Sequence, residues 1–509
     1  MDLLYNKQRI ILVLILVILL LYSYTGELVA YNEGKGWDGD MYCDIIQNFD
    51  TLILTKGIDA YHMTRFLPFA LIHYILIILN IPITTETAIL SSKIFNFISI
   101  AILILYFFKL SKLMSWDWKC EIIAFSFTFY NSYVLKFFGY NPITCDCFGL
   151  LLSYLAVYFF FANKRFCGFV VGAIALMSWP ILSILVFILF LFPRNSVEMV
   201  CNSDKNNETI YKTIRLFFIT FVPVAGLICC SYLKFRHPDW NFFHFYFEIS
   251  VYKGMQDSII VSLSLLAVSL FYFYATKSLK VDYMGMLKAI MTTPILIRVL
   301  VAGTLFIICY KILISLGKEA VFSPMGQFLI MLRHPATDIF IFLESPFIYL
   351  GLFFILILLC WKEIVAQVCK KYGISYYIIL LIALLFILET ETRKLTSFYP
   401  IMLVPLIECL KRMRLKRSVV YAIPIVCIIS SFFWFSINTI NIEEAFNCSY
   451  DTYWRFPAQR YYMFFGPWQN HNVYLVTILI EVFFIFSIVF LYRKGILTEK
   501  TSTPNAELH

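Results

Sequence analysis

Uninterrupted apolar blocks of fifteen to twenty-five residues recur along the chain and constrain its fold more than any other feature. A helix needs about 20 consecutive apolar residues to cross the hydrocarbon core of a bilayer. The clearest blocks lie at 10–24, 88–108, 214–233, 340–360 and 473–492. Within lipid each span must satisfy its own backbone hydrogen bonds, which favours helices. The sequence therefore predicts an all-α polytopic membrane protein.

The basic residues predict how the spans are oriented. Lysine and arginine concentrate in cytoplasmic loops of membrane proteins. With the N-terminus inside and strict alternation, 26 of the 41 Lys and Arg residues fall on the inner side. This pattern predicts about fourteen crossings in the inner or plasma membrane, with both termini cytoplasmic. The net charge of +9 follows from this topology and does not indicate nucleic-acid binding.

The first outer loop, 26–86, opens with charged residues directly after an apolar span. Residues 39–49 have the spacing of an amphipathic helix that would lie on the membrane surface with its apolar side down. Asp40 and Asp44 then form its solvated face. Asp38 precedes this helix and has two interpretations: an N-cap that accepts a backbone N–H bond, or a carboxylate placed to take a proton.

A second short segment follows in the same loop. Its apolar run, 66–79, is fourteen residues long, and runs of that length are more often interfacial or re-entrant than spanning. Treating it as non-spanning also preserves the charge alternation. The first outer loop is thus predicted to hold two juxtamembrane helices before the second crossing.

Two motifs in this loop resemble those of a known superfamily. The stretch "GWDGDMY" followed by "AYHMTRFLP" is similar to the W-D-G-x-x-Y and Y-x-x-x-R-x-L-P patterns of GT-C membrane glycosyltransferases, including mannosyltransferase-like members. The motifs and their surroundings cover residues 1 to about 165, and topology alone extends the likeness further. The resemblance implies a GT-C-like fold and an enzyme that transfers a sugar, with inversion, from a polyprenyl-phosphate donor to a lipid, glycan or protein acceptor.

The resemblance also implies roles for individual residues. The catalytic aspartate falls on Asp38, with Asp40 as the substitute. Members that use a divalent metal usually carry a second acidic motif, for which this chain offers Asp146 beside an equally good helix-cap interpretation, so no metal or other cofactor is predicted. The motif residues expected to bind substrate are Tyr42, Tyr61, His62 and Arg65.

Outer-side cations are the expected partners of the departing lipid phosphate, because a leaving group of this kind needs positive charge. Each of these cations also has a structural interpretation. Arg393 and Lys394 could simply pair with neighbouring glutamates, Arg65 could anchor the loop at the interface, and Lys93 could snorkel outward. The candidates of this kind outside the two motifs are Lys93, Arg333, Arg393 and Lys394.

The remaining organisation is simple. Residues 1–437 form the predicted GT-C-like membrane domain, and 438–509 contain an outer aromatic loop, the last span and a cytoplasmic tail. The aromatic loop, 449–470, is typical of an interfacial belt and could alternatively hold acceptor glycan. Two other classes stay open: a polysaccharide polymerase or ligase of the O-antigen type, and a transporter or flippase of lipid-linked glycans.

The orientation is directly testable. Residues 26–86, 389–397 and 437–471 are all expected to face outward. A cysteine introduced at Lys394 in a cysteine-free background should react with a membrane-impermeant maleimide applied to intact cells. Labelling of this position only after the cytoplasm is opened would contradict the topology and move the predicted phosphate-binding cations to the wrong side.

Overall fold

A computed structural model describes residues 2–29, 32–36, 38–192, 205–236, 258–318, 331–332, 334–336, 338–434 and 471–498. These residues form helices and loops and contain no β-strand. Two isolated β-bridges join Asp59 to Lys318 and Leu415 to Thr498. The predicted all-α class is thus confirmed for the part of the chain that the structure describes.

The helices follow one another closely along the chain. In chain order they are α1 (Asp2–Tyr24), α2 (Asp38–Leu54), α3 (Ala60–Met63), α4 (Leu67–Ile78), α5 (Thr85–Leu113), α6 (Trp118–Phe129), α7 (Phe138–Tyr140), α8 (Asp146–Phe161), α9 (Arg165–Leu176), α10 (Pro180–Leu191), α11 (Lys205–Leu216), α12 (Val222–Arg236), α13 (Ser258–Thr276), α14 (Tyr283–Ile290), α15 (Thr293–Ser315), α16 (Ile341–Leu350), α17 (Leu352–Leu359), α18 (Trp361–Gln367), α19 (Gly373–Phe386), α20 (Tyr399–Arg412), α21 (Arg417–Ser430) and α22 (His471–Arg493). Short 3-10 turns cover Asn32–Gly34, His334–Ala336 and Thr392–Phe398, and π-helical turns cover Tyr133–Phe137, Phe217–Phe221 and Val368–Tyr372.

Six helical segments in the described residues are long and apolar enough to cross a membrane. Several further apolar helices have 10–17 residues, and at about 1.5 Å per residue they fall short of a 30 Å hydrocarbon core. The structure therefore supports a membrane protein, while the number fourteen remains a prediction. The six long segments are Lys7–Tyr24, Thr85–Leu113, Asn207–Tyr232, Thr293–Ser315, Trp361–Phe386 and Tyr474–Arg493.

The segment predicted to be the first outer loop contains both predicted helices. The helix expected over 39–49 extends over Asp38–Leu54, and the short apolar run forms α4, whose 12 residues span only about 18 Å. The apolar face of α2 does not lie on lipid as expected, because α4 covers it. The ring of Tyr42, for example, stacks on that of Phe69 with 4.1 Å between centroids. The two helices therefore form one packed unit.

One predicted span is interrupted. The apolar block at 340–360 forms two helices, α16 and α17, which meet at Gly351. This residue has φ +55° and ψ −131°, a conformation that only glycine adopts at low cost. An added Cβ would lie 3.2 Å from the hydroxyl oxygen of Ser430. An apolar run read by hydropathy alone does not reveal such a break.

Ion pairs fix both ends of α1 to the rest of the protein. Near its start, the Arg9 guanidinium donates two hydrogen bonds of 2.7 Å to the buried carboxylate of Glu121 in α6. Just after its end, Lys136 donates to Glu27 at 2.6 Å. Opposite charges that leave water together must satisfy one another, so these contacts determine how α1 sits beside α6 and the turn that follows.

The backbone at Gly351 gives a stability prediction. Gly351→Ala should lower the free energy of unfolding by about 1–3 kcal/mol, because alanine is strained in this conformation. Gly303→Ala is the matched control: it lies within α15, and its added Cβ meets no atom within 4 Å. Thermal denaturation in detergent should show a lower midpoint for the first variant and an unchanged or higher one for the second. Equal midpoints for the two variants would contradict the strained junction.

Candidate functional site

One pocket gathers polar residues that are far apart in the sequence. It is formed by the start of α2, the segment of α3, the start of α8, the start of α10 and the turn at 392–398. The space between these elements, which is partly open to solvent, measures about 390 Å³. The residues that line it are Asp38, Tyr42, Tyr61, Arg65, Cys145, Asp146, Trp179, Pro180, Ile181, Arg393 and Lys394.

Asp38 is the first residue of α2, and its carboxylate faces the pocket. Its Oδ2 accepts a hydrogen bond from the Tyr61 hydroxyl at 3.1 Å and lies 3.4 Å from Nη2 of Arg393. The side chain keeps 25% of its surface exposed, so a ligand in the pocket can reach it. The described contacts of this carboxylate are made across the pocket, which favours a functional role over helix capping alone.

The short helix α3 presents Tyr61 and Arg65 to the pocket. Asp59 caps it by accepting from the backbone N–H groups of Tyr61 and His62, at 2.9 and 3.1 Å. Its other oxygen lies 2.5 Å from Nδ1 of His62. A capping carboxylate typically contributes about 1 kcal/mol to helix stability. Asp59 was not among the predicted site residues, yet it orders the turn that carries two of them.

Arg65 differs from the other pocket cations in its partners. Its guanidinium lies 3.7 Å from the centre of the Tyr61 ring and donates to the Tyr61 carbonyl and to the Thr64 hydroxyl. Among the described residues it forms no ion pair with a carboxylate. A half-buried guanidinium in this situation is well suited to bind an anion.

The turn at 392–398 supplies two cations that are already paired. Arg393 Nε lies 2.5 Å from a Glu391 oxygen, while Lys394 lies 2.8 Å from Glu391 and 3.4 Å from Glu389. Glu389 in turn lies 2.9 Å from His334. The alternative that these glutamates pair with the cations is therefore confirmed, but Arg393 additionally reaches Asp38.

Opposite charge dominates the titration of this turn. Burial alone would raise the pKa of Glu391, but the positive charges of Arg393 and Lys394 outweigh it and lower that pKa. Burial alone would lower the pKa of Arg393, yet Glu391, Asp38 and Asp146 together raise it. Arg393 thus stays charged and holds carboxylates of the first loop and of its own turn in one cluster.

Asp146 is the second carboxylate of the pocket and lies at the first residue of α8. Tyr133 donates to its Oδ1 at 2.9 Å, and the Thr396 hydroxyl lies 3.2 Å from the same phenol oxygen. The sequence had left Asp146 between a helix cap and a second acidic position. The structure places it in the lining of the same pocket as Asp38 and Arg65.

Other predicted residues lie outside the pocket lining. Asp40 is 53% exposed and pairs with Lys35 at 2.7 Å on the surface of α2, so the structure does not bring it together with Asp38. His62 lies behind the pocket, where its ring contacts Tyr42 edge-on. Lys93 donates to the Tyr24 carbonyl at 2.6 Å. Arg333 and the aromatic loop at 449–470 lie outside the described residues.

Several lining residues were missed from the sequence: Cys145, Trp179, Pro180 and Ile181. The last three form the junction between α9 and α10, two apolar helices that read as ordinary membrane segments. The one local signal is the Trp-Pro pair, since proline favours the first turn of a helix and so marks where α10 begins.

The carboxylates of the pocket lining are Asp38 and Asp146. The described residues contain no group of three or more His, Cys, Asp or Glu side chains arranged to hold a metal ion.

Comparison with known proteins gives no match. The chain matches no protein-family model, no curated protein and no solved structure. The resemblance to GT-C enzymes consequently rests on the two quoted motifs and on the order of the segments around them.

The lowered pKa of Glu391 predicts a pH-dependent stability. A carboxylate whose pKa is lower in the folded than in the unfolded state stabilises the fold above its unfolded pKa, about 4.3, and loses that contribution as the pH falls through its folded pKa. Glu391→Gln should therefore lower the thermal midpoint most at neutral pH, and the difference from wild type should shrink below about pH 4.3.

Glu208→Gln provides the control for this measurement. Glu208 is 40% exposed and pairs with Lys212 and Lys280, which are 72% and 52% exposed, and such solvated pairs contribute about 1 kcal/mol or less. Midpoints in detergent should change little for this variant. A Glu391→Gln difference that is constant from neutral to acidic pH would contradict the charge pairing described here.

Proposed function

We propose that the protein is an integral membrane glycosyltransferase of the GT-C type. It moves a sugar from a polyprenyl-phosphate donor to a lipid, glycan or protein acceptor at the outer face of the inner or plasma membrane. The observation that carries this proposal is the meeting of Asp38 with Arg65 and Arg393 in one pocket, although these residues belong to separate segments. The motifs of the first loop support the same assignment.

The proposed reaction needs one base and a place for the leaving phosphate. Asp38 accepts the proton of an acceptor hydroxyl as that oxygen attacks the anomeric carbon of the donor. The bond between the anomeric carbon and the phosphate oxygen breaks, and the polyprenyl phosphate leaves with the bonding electrons. Attack opposite the leaving group inverts the anomeric centre, as the family resemblance implies.

The cations differ in how well they suit the phosphate. Lys394 is paired with both Glu389 and Glu391, and Arg393 is paired with Glu391 and Asp38. Arg65 has no carboxylate partner among the described residues and lines the same pocket. We therefore assign the main phosphate contact to Arg65. Arg393 then holds Asp38 in position and adds positive charge where the leaving group develops negative charge.

The carboxylate and the cations of the pocket suit a reaction that takes place at the membrane boundary. A polyprenyl-phosphate sugar keeps its lipid in the bilayer and its sugar in the water layer, so the site must lie where the two meet. The long apolar helices α1 and α5 flank the first loop, and the short apolar helix α4 lies within it. The charged groups of the loop therefore lie close to apolar surface. The orientation of this end toward the outside rests on the positive-inside pattern.

A specific observation keeps a second candidate function in view. Glu481 is 4% exposed near the middle of α22, and its Oε1 has no hydrogen-bond partner among the described residues. A buried carboxyl group deep in a membrane helix is typical of ion pathways in carriers. A transporter or flippase of lipid-linked glycans is therefore the alternative. The described residues hold no comparable feature that favours an O-antigen-type polymerase or ligase.

Asp38→Asn tests the proposed base. The amide keeps the size of the side chain and can still accept from Tyr61, but it cannot take a proton. Transfer of a labelled hexose from decaprenyl phosphate by the purified, reconstituted protein should fall by about 10²- to 10⁴-fold. Extracts of the producing membranes supply the acceptor in this assay.

Asp44→Asn is the matched control, since Asp44 lies on the same helix and outside the pocket lining. Its transfer rate should stay near that of wild type, and both variants should reach the membrane in normal amounts. An Asp38→Asn protein with full activity would leave Asp38 as a structural residue and remove the base from the proposal.

Glu481→Gln separates the two candidate functions. If the protein is a transferase that uses the described pocket, this variant should transfer sugar at a rate close to wild type. If the protein is a carrier, wild type should instead move a fluorescent lipid-linked glycan between leaflets of proteoliposomes, and the variant should lose that movement. The second result, together with no transfer by wild type, would contradict the proposed function.

A further inference from the structure

Two lining residues, Asp146 and Trp179, combine deep burial with an unused polar atom. Asp146 is 1% exposed and Trp179 is 7% exposed. Asp146 Oδ2 and Trp179 Nε1 are both buried, and neither forms a hydrogen bond with a described residue. One of these atoms is an acceptor and the other is a donor. Polar atoms buried without partners are uncommon and call for an explanation in terms of a ligand or a fixed solvent molecule.

The carboxylate of Asp146 is held in a defined orientation. Its Oδ1 accepts from Tyr133 at 2.9 Å, so Oδ2 is the oxygen left for a ligand. The Thr144 side chain is a further hydrogen-bonding neighbour of this carboxyl group, although its hydroxyl and Oδ2 do not meet in good hydrogen-bond geometry. Asp146 also lies within electrostatic range of Arg393, which keeps the carboxylate close to the charged centre of the pocket.

The indole of Trp179 is positioned by α8, the helix that begins at Asp146. Trp179 directly precedes α10, and its ring packs on Gly149, one turn after Asp146 in α8. A Cβ at Gly149 would come within 3.3 Å of the indole, so a larger residue there would press against the ring. The donor and the acceptor are thus both anchored to the first turn of α8.

We infer that Asp146 and Trp179 form a subsite for a hydroxyl group of the transferred sugar. A sugar hydroxyl has one proton to donate to Asp146 Oδ2 and lone pairs that accept from Trp179 Nε1. An ionised phosphate has no proton for the carboxylate and would be repelled by it, and an alkyl chain satisfies neither atom. The subsite therefore selects a hydroxyl group, and its chemistry differs from that of the phosphate contact at Arg65.

This inference rests on the proposed glycosyl transfer, and it adds a specificity device to it. A site built to hydrogen-bond a substrate hydroxyl discriminates strongly against an analogue that lacks it, because the buried groups are then left unpaired. Asp146 and Trp179 are expected to decide which sugar, and which epimer at one carbon, the enzyme accepts. Asp38 remains the base.

The experiment uses the full-length reconstituted protein and decaprenyl-phosphate hexoses. The best donor of a panel that differs in single epimeric centres is compared with each of its monodeoxy analogues. The variants are Trp179→Phe, which removes the N–H and keeps an aromatic ring, and Asp146→Asn, which can still accept from Tyr133. Trp118→Phe is the control, because Trp118 stacks on Tyr421 away from the pocket.

Each variant should lower kcat/KM for the parent donor, by about 10-fold for Trp179→Phe and about 10- to 100-fold for Asp146→Asn. With one monodeoxy donor, which should be the same for both variants, kcat/KM of the variant should be almost equal to that of wild type. That non-additivity identifies the hydroxyl in contact with both side chains. The Trp118→Phe protein should show wild-type selectivity.

Two results would overturn the subsite. One is an equal loss for every monodeoxy donor, which would mean that the two polar atoms hold solvent or serve packing. The other is a complete loss of turnover in Asp146→Asn with all donors, which would make Asp146 a base. In either case a dead Asp38→Asn protein would leave the proposed function standing. Absence of transfer by wild type from any donor would overturn both the subsite and the proposed function.

Discussion

The ion pairs of Arg393 hold the centre of this protein together. Its guanidinium joins Glu391 in its own turn to Asp38 at the start of α2, 355 residues away in the sequence. Charges removed from water are costly unless opposite charges lie beside them, and this contact gives Asp38 such a partner. The pairing therefore unites the two charged segments of a largely apolar chain, and the pocket forms at the point where they meet.

The segment of the pocket lining around α3 depends on a helix cap and on backbone hydrogen bonds. Asp59 caps α3, and the adjoining backbone of Ile58 and Ala60 hydrogen-bonds to Lys318 just beyond α15, at 2.8 and 3.1 Å. Close approach at this bridge requires Gly317, because a Cβ there would lie 2.7 Å from the Ile58 carbonyl oxygen. The segment carrying Tyr61 and Arg65 is thereby tied to a long apolar helix, which links the charged pocket to the membrane-embedded part of the protein.

Sequence patterns were sufficient where a single physical rule dominates. Hydropathy identified long apolar helices, amphipathic spacing identified α2, and the charged motifs identified Asp38, Tyr61, Arg65 and Arg393, which the structure brings together. Contacts between distant segments were beyond such rules. The resemblance leaves Asp40 as a substitute for Asp38, and only packing shows that Asp40 pairs with Lys35 on the surface. The position of Trp179 in the pocket lining and the break at Gly351 likewise arise from tertiary contacts inside apolar runs, which carry no charge pattern.

The most direct test of the proposed site is a cryo-electron microscopy structure of the protein in lipid nanodiscs with a non-transferable polyprenyl-phosphate sugar analogue. We expect the phosphate to contact the Arg65 guanidinium, with the anomeric carbon facing Asp38 and the sugar reaching toward Asp146 and Trp179. Density for the donor elsewhere on the protein, with this pocket unchanged, would contradict the assignment of the pocket as a glycosyl-transfer site.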